Sequence, residues 1–165
     1  MNTVRQGTAA ELWQDLLRDA EKRSHVPLDE SQESYLVFLL LRHQNDPQLL
    51  AHVQALDWLR AQALVGQSRA DALRDVGDRC LLIAGLFPTL AQRRRVSLDY
   101  FLTLGRSAYR DLADACRSAY AELFAHLAAH YDALAQVLRG LRETPLPVPA
   151  VALAPARRPP GMRVH

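Results

Sequence analysis

Residues 98–141 read LDYFLTLGRSAYRDLADACRSAYAELFAHLAAHYDALAQVLRGL, a stretch of 44 positions without a proline. Apolar or small residues recur there at 98, 102, 105, 109, 112, 116, 120, 123, 127, 131, 134, 138 and 141. Steps of three and four trace one face of a helix, whereas a strand alternates every second residue. The spacing predicts one long helix, with Ser97 as its cap. At about 1.5 Å of rise per residue it would extend roughly 66 Å, more than a bundle of this size covers. It must either break near Gly105-Arg106-Ser107 or project toward a partner.

Upstream, helix starts are legible from capping residues. Thr8-Ala-Ala-Glu11 forms a capping box, followed at helical spacing by Leu12, Trp13, Leu16, Leu17 and Ala20, which predicts a helix to about Lys22. Asp29-Glu-Ser-Gln32 is a second box, opening a helix to about His43. The middle of that helix, YLVFLLL, is apolar all round and predicts a place at the centre of the bundle. Asn45-Asp46-Pro47 ends it and starts a third helix with the stripe Leu49, Leu50, Val53, Leu56, Leu59 and Leu64, closed by Gly66. Ser68 caps a fourth, running to about Leu86, with Leu73, Val76, Cys80, Ile83 and Phe87 inward and Pro88 ending it. Gly77 and Gly85 inside this helix each cost about 1 kcal/mol relative to alanine. The strip Gly77, Cys80 and Ala84 is thus expected to admit a close neighbour.

The link TLAQRRRV joins the fourth helix to the last. Beyond Thr144 the chain becomes PLPVPAVALAPARRPPGMRVH, without helical period, which predicts disorder. The fold expected is all-α: an up-and-down type bundle of five to six helices with a long C-terminal helix, one domain over 1–143 and a disordered Pro/Arg-rich tail over 144–165.

Composition narrows the classes of function. The 165 residues suffice for one core without disulfides or structural metal. Arg157, Arg158 and Arg163 lie in 145–165 without an acid, leaving 17 basic and 18 acidic residues in 1–144. A near-neutral body disfavours nucleic acid as a partner. No apolar run approaches the roughly 18 residues of a membrane span, and MNTVRQGTAAELW lacks the apolar core of a signal peptide. No membrane association and a cytoplasmic location are expected. Cys80 and Cys116 stand apart from any Cys/His cluster, so buried thiols are expected rather than a disulfide or zinc site.

Candidate sites concentrate between Val76 and Tyr109. Asp78 adjoins Gly77 in a helix read as largely buried, and a buried carboxylate requires a partner. Arg93, Arg94, Tyr100 or Tyr109 would supply one, whether to fix helix packing or to line a pocket for a small anionic or apolar ligand formed by Asp78, Arg94, Asp99, Tyr100 and Tyr109. Arg93-Arg94-Arg95 is either a solvated linker or an anion site beside the start of the last helix. His126 and His130 share a helix face, but no third ligand accompanies them, so no metal or cofactor is expected. No glycine-rich phosphate loop, nucleophile elbow or Cys/His pair at a recognisable spacing is present, which disfavours an enzyme.

The pattern GDRCLLIAGLFP followed by RRRVSLDYFLTLGRSAY resembles a group of uncharacterised bacterial all-helical proteins. A Gly-Asp, a Gly-x-Phe, a basic pair, an Asp-Tyr and a Gly-x-x-Ala-Tyr recur in them in this order. The resemblance covers about a fifth of the chain and singles out Gly77, Asp78, Gly85, Phe87, Arg94, Asp99, Tyr100, Gly105 and Tyr109. It implies an all-α fold and brings no activity, cofactor or partner. The function expected is that of a non-enzymatic interaction or regulatory protein binding a protein partner or itself. The expected homodimer surface is the stripe Tyr120, Phe124, Leu127, Tyr131, Leu134 and Leu138; the alternative is ligand binding in the pocket above.

Overall fold

The computed structural model describes residues 8–44, 53–93, 95–115 and 119–141. All regular structure among them is helical: α1 (Ala9–Ser24), α2 (Glu30–His43), α3 (Gln54–Ala63), α4 (Gly66–Leu86), α5 (Pro88–Arg93), α6 (Leu98–Ala115), α7 (Ala119–Ala129) and α8 (Tyr131–Leu141). Seven of these run ten residues or more and α5 is a short link, so the described chain exceeds the five to six helices expected. The excess comes from 98–141, which is three helices. Asn45, Asp46, Pro47, Arg94, Cys116 and the tail over 144–165 lie outside the described residues.

Both capping boxes form as the sequence predicts. Thr8 accepts from the Glu11 backbone while Glu11 accepts from Thr8, and Asp29 and Gln32 exchange the same pair of bonds at the head of α2. Ser97 Oγ accepts the Tyr100 N–H at 3.2 Å and starts α6. Gly66 has the positive φ (62°) expected of it, but it opens α4 rather than closing α3.

The long stretch does not break at Gly105, which sits inside α6. A Cβ there would lie 1.8 Å from the Tyr131 hydroxyl and 2.8 Å from Cys80 Cβ. The glycine is therefore a place of close packing rather than a hinge. Instead α7 packs back along α6, and α8 lies against α1 and α4. The interruption at His130 is one residue long, and hydrogen bonds from His130 N to His126 O and from Leu134 N to His130 O carry the ladder across it.

That folding back overturns the projected dimer stripe. Phe124, Leu127, Tyr131, Leu134 and Leu138 are buried in this chain's own core, leaving only Tyr120 exposed among the six. The helix is too long to be straight and short enough, once divided, to be covered by α1, α4 and α6.

The centre of the bundle is α4 rather than α2. From Val76 to Gly85 every residue but Arg79 is buried, whereas α2 buries Tyr35, Leu36, Leu39 and Leu40 and leaves Phe38 47% exposed. Small residues let neighbours approach α4 closely: a Cβ on Gly77 would sit 2.2 Å from the Tyr109 ring and one on Gly85 2.5 Å from Leu138 Cβ. Gly77 and Cys80 of the predicted strip thus meet α6, and Gly85 beside it meets α8.

Orientation fails expectation at α3. Of its stripe, Leu49 and Leu50 lie outside the described residues, and Val53, Leu56, Leu59 and Leu64 face outward while Gln54 and Ala61 are buried against the bundle. Two features turn the helix this way. Asp57 approaches Arg79 of α4 at 3.8 Å, and Trp58 packs on the core from the same side.

Candidate functional site

Three helices deliver a tyrosine each to the Gly77–Asp78 step of α4. Tyr35 (α2) and Tyr109 (α6) both donate to Asp78 Oδ1 at 2.6 Å, and Tyr131 (α8) donates to the Gly77 carbonyl at 2.7 Å. The rings touch as well: Tyr109 lies 5.4 Å from Tyr131 and 6.1 Å from Tyr35, edge to face, with Phe124 completing the cluster at 5.5 and 5.6 Å from Tyr35 and Tyr109. Such contacts add to area burial. The glycine makes the step possible, because any side chain at 77 would occupy the position of the Tyr109 ring.

Asp78 is fully buried. Its Oδ2 lacks a hydrogen bond and faces His43 Nε2 at 3.7 Å and Arg42 Nη1 at 3.9 Å, while Arg42 also binds Asp75 at 2.5 Å. The carboxylate therefore sits among two phenol donors and a cationic side chain, the partners a buried charge requires. Burial first, and the neighbouring Asp78 charge second, push the Tyr35 and Tyr109 phenols well above their ordinary value. Tyr131 is raised chiefly by burial too, and burial likewise raises the Cys80 thiol. All four are inert protonated groups near neutral pH, which suits donors that hold a fold and not nucleophiles.

An alkaline transition follows from these tyrosines. In the unfolded chain a phenol ionises near pH 10, whereas the folded state keeps these three protonated beyond it. The unfolded state releases protons first, so their contribution is fully present below about pH 10 and is lost as pH rises. With three such groups the slope of stability approaches about 4 kcal/mol per pH unit. Denaturant titrations at stepped alkaline pH are expected to give that slope, reduced by about a third in Tyr109→Phe; a flat profile to pH 11 contradicts the assignment.

The residues expected to share a pocket are not gathered. Asp78 and Tyr109 meet, but they are fully buried against each other. Asp99 and Tyr100 are exposed near the start of α6, and nine residues of helix set Tyr100 about 13.5 Å along the axis from Tyr109. The partners that sequence reasoning missed are Tyr35, Arg42 and His43, all on α2. Tyr35 was hidden in the apolar run YLVFLLL, where a phenol reads as one more core residue.

Two shallow hollows lie near α3, one past its C-terminal end and one on its α4 side. One, about 350 Å³, lies between Leu64–Gly66 and the end of α6 beside Arg69, Asp111 and Asp114. The other, about 230 Å³, lies between α3 and α4 over Ala61, Ala72, Asp75 and Arg79. On the outward face of α3, Leu56 is 49% and Leu59 58% exposed, and Leu64 just beyond its C-terminal end is 40% exposed. Exposed apolar side chains clustered on one helix mark a contact site more often than scattered ones do. Beneath it, Gln54 Nε2 and Oε1, Trp58 Nε1 and Arg79 Nε are buried without hydrogen bonds.

The His126 and His130 rings meet edge to face with centroids 4.6 Å apart. His126 pairs with Asp29 at the head of α2, and His130 Nδ1 lies 3.0 Å from the His126 carbonyl oxygen. No group of three His, Cys, Asp or Glu residues among the described residues is placed to hold a metal ion. No helix among them is long and apolar enough to cross a membrane. No family model, curated protein or solved structure matches the chain.

Proposed function

We propose that this chain is a non-enzymatic cytoplasmic interaction protein whose docking surface is the outward face of α3. The observation that carries the reading is the inversion of that helix: Gln54 and Ala61 turn inward while Val53, Leu56 and Leu59 face out. A helix anchored by polar contacts and showing leucines to solvent forgoes apolar burial of about 1.5–3 kcal/mol for each side chain that could be covered. That free energy is available to a partner. The Asp78 cluster supports the same reading, since Asp78 is fully buried and its Oδ1 is taken up by Tyr35 and Tyr109. The pocket alternative near Asp78, Arg94, Tyr100 and Tyr109 draws no comparable support from where Asp99 and Tyr100 stand.

The test is affinity capture from the source cells with the natural chain and with Leu56→Ser/Leu59→Ser, followed by reconstitution from purified components. A protein bound by the first with at least tenfold higher affinity than by the second supports the reading. Equal affinity for both contradicts it.

A further inference from the structure

We infer that His126 and His130 form an open surface site for a divalent ion of the imidazole-preferring class, Cu²⁺ before Ni²⁺ and Zn²⁺, with water in the remaining coordination positions. The site lies at the junction of α7 and α8 and is independent of the α3 face. Lack of a third protein ligand counts only against a closed site. Three observations favour an open one over a solvated histidine pair.

Each ring has one nitrogen engaged and one lone pair left. His126 Nε2 meets Asp29 Oδ2. The Gln32 backbone N–H, with His126 as a lesser contributor, holds the Asp29 carboxyl below its ordinary value. Asp29 is therefore an ionised acceptor, and His126 Nε2 carries the proton. His130 Nδ1 lies 3.0 Å from the His126 carbonyl oxygen, which can only accept, so the proton of that ring sits on Nδ1. The lone pairs fall on His126 Nδ1 and His130 Nε2, and these are the atoms offered to an ion.

The engaged nitrogens have the partners that ligating histidines have. A metal-bound imidazole almost always gives its other N–H to a carboxylate or a backbone carbonyl, which fixes the tautomer and raises the basicity of the ligand nitrogen. Here one ring has the carboxylate and the other the carbonyl. The carboxylate is itself held in place, because Asp29 Oδ1 accepts the Gln32 N–H at 2.8 Å as the cap of α2.

Spacing fits as well. With metal–nitrogen bonds of about 2.0–2.1 Å and the ring centre roughly 1.1 Å beyond, two imidazoles at roughly 90–110° on one ion have centroids about 4.5–5.1 Å apart. The two centroids here are 4.6 Å apart, with 66° between the ring planes. Turning each ring about its own metal–nitrogen axis changes that angle and leaves the separation as it is. His130 is exposed and the His126 side chain 38% exposed, so an ion and its waters have access.

The donors choose the ion. Imidazole suits copper, nickel and zinc, and affinity among these follows the Irving–Williams order with Cu²⁺ first. Mg²⁺ and Ca²⁺ take oxygen ligands, and the Asp29 oxygens are already occupied by Gln32 and His126.

Calorimetric titration of the full chain with CuCl2, NiCl2, ZnCl2 and MgCl2 tests the site. The expected result is binding in the order Cu²⁺ before Ni²⁺ and Zn²⁺, with no heat from Mg²⁺. The Cu²⁺ Kd is expected to rise about tenfold or more in His126→Ala/His130→Ala, and about tenfold in Asp29→Asn, which keeps a helix cap but gives up the orienting carboxylate. His25, His52 and His165 remain in every variant, so any binding of theirs is a common background. Circular dichroism, expected unchanged, separates lost ligation from lost folding. Diethyl pyrocarbonate labelling of the natural chain, mapped by mass spectrometry, needs no variant: Cu²⁺ is expected to protect His126 and His130 and to leave the exposed His25 reactive. Equal Cu²⁺ affinity in the natural chain and the double variant, or equal labelling of His126 and His130 with and without Cu²⁺, overturns the site. Affinity unmoved by Asp29→Asn overturns the orienting argument on which it rests.

Discussion

Gly105→Ala is expected to lower the unfolding free energy by about 3 kcal/mol, although alanine is the better helix former by about 1 kcal/mol. The added methyl would lie 1.8 Å from the Tyr131 hydroxyl, 2.5 Å from its ring carbon and 2.8 Å from Cys80 Cβ. Tyr131 is fully buried, so it has no open side to swing toward. Moving it also breaks its bond to the Gly77 carbonyl, and an unpaired buried acceptor or donor costs about 1–3 kcal/mol. Tyr131→Phe in the same chain removes the nearest of the three clashes, so the double variant is expected to be more stable than Gly105→Ala alone. Chemical denaturation of both singles and the double gives the coupling directly. A Gly105→Ala protein as stable as the natural one contradicts the packing of α6 on α4 and α8 described above.

Asp78→Leu is the second large effect, with an expected loss of about 3–5 kcal/mol. Leucine branches where aspartate does, so the change keeps the shape and removes the acceptor. Tyr35 and Tyr109 would then each hold a hydroxyl in the core with no partner, and Arg42 would lose one of the two carboxylates it faces. Adding Tyr35→Phe and Tyr109→Phe removes the stranded donors, and replacing all members of a polar cluster by apolar groups is far milder than removing one. The triple variant is expected to recover more than half of the loss. Were it to fall further instead, the cluster would not be organised around Asp78.

Much of this architecture was legible in the order of residues. Thr8 with Glu11 and Asp29 with Gln32 announce their helices because capping is a local interaction, satisfied within four residues. The glycines of α4 announce close neighbours because nothing else justifies their cost in a helix interior. The hub at Asp78 was half visible: the helix around it reads as largely buried, and Tyr109 stood among four candidate partners with Arg93, Arg94 and Tyr100. Tyr35 lies 43 positions away on another helix, a pairing that only tertiary structure creates.

The orientation of α3 was misread for a physical reason. An apolar stripe is normally assigned to a helix's own core, yet here Trp58 and Ala61 make a second apolar face opposite Leu56 and Leu59. The signal was present as a helix with two apolar sides, divided by Asp57 and Arg60. Length misled at the other end of the chain, where a continuous helical period in 98–141 hid a reversal that period alone does not encode. Gly105 drew attention as a breaker while its absent side chain in fact seats Tyr131.

The most direct test of the account asks whether the outward face of α3 belongs to the fold or stands apart from it. The measurement is the unfolding free energy of Leu56→Ser/Leu59→Ser in dilute solution, where each chain unfolds alone. The account predicts a change within about 1 kcal/mol of the natural chain, as for surface substitutions away from packed features. A loss of about 4 kcal/mol or more, the size of buried leucine deletions, would mean that these leucines hold the bundle together, and the docking surface would have to be sought elsewhere.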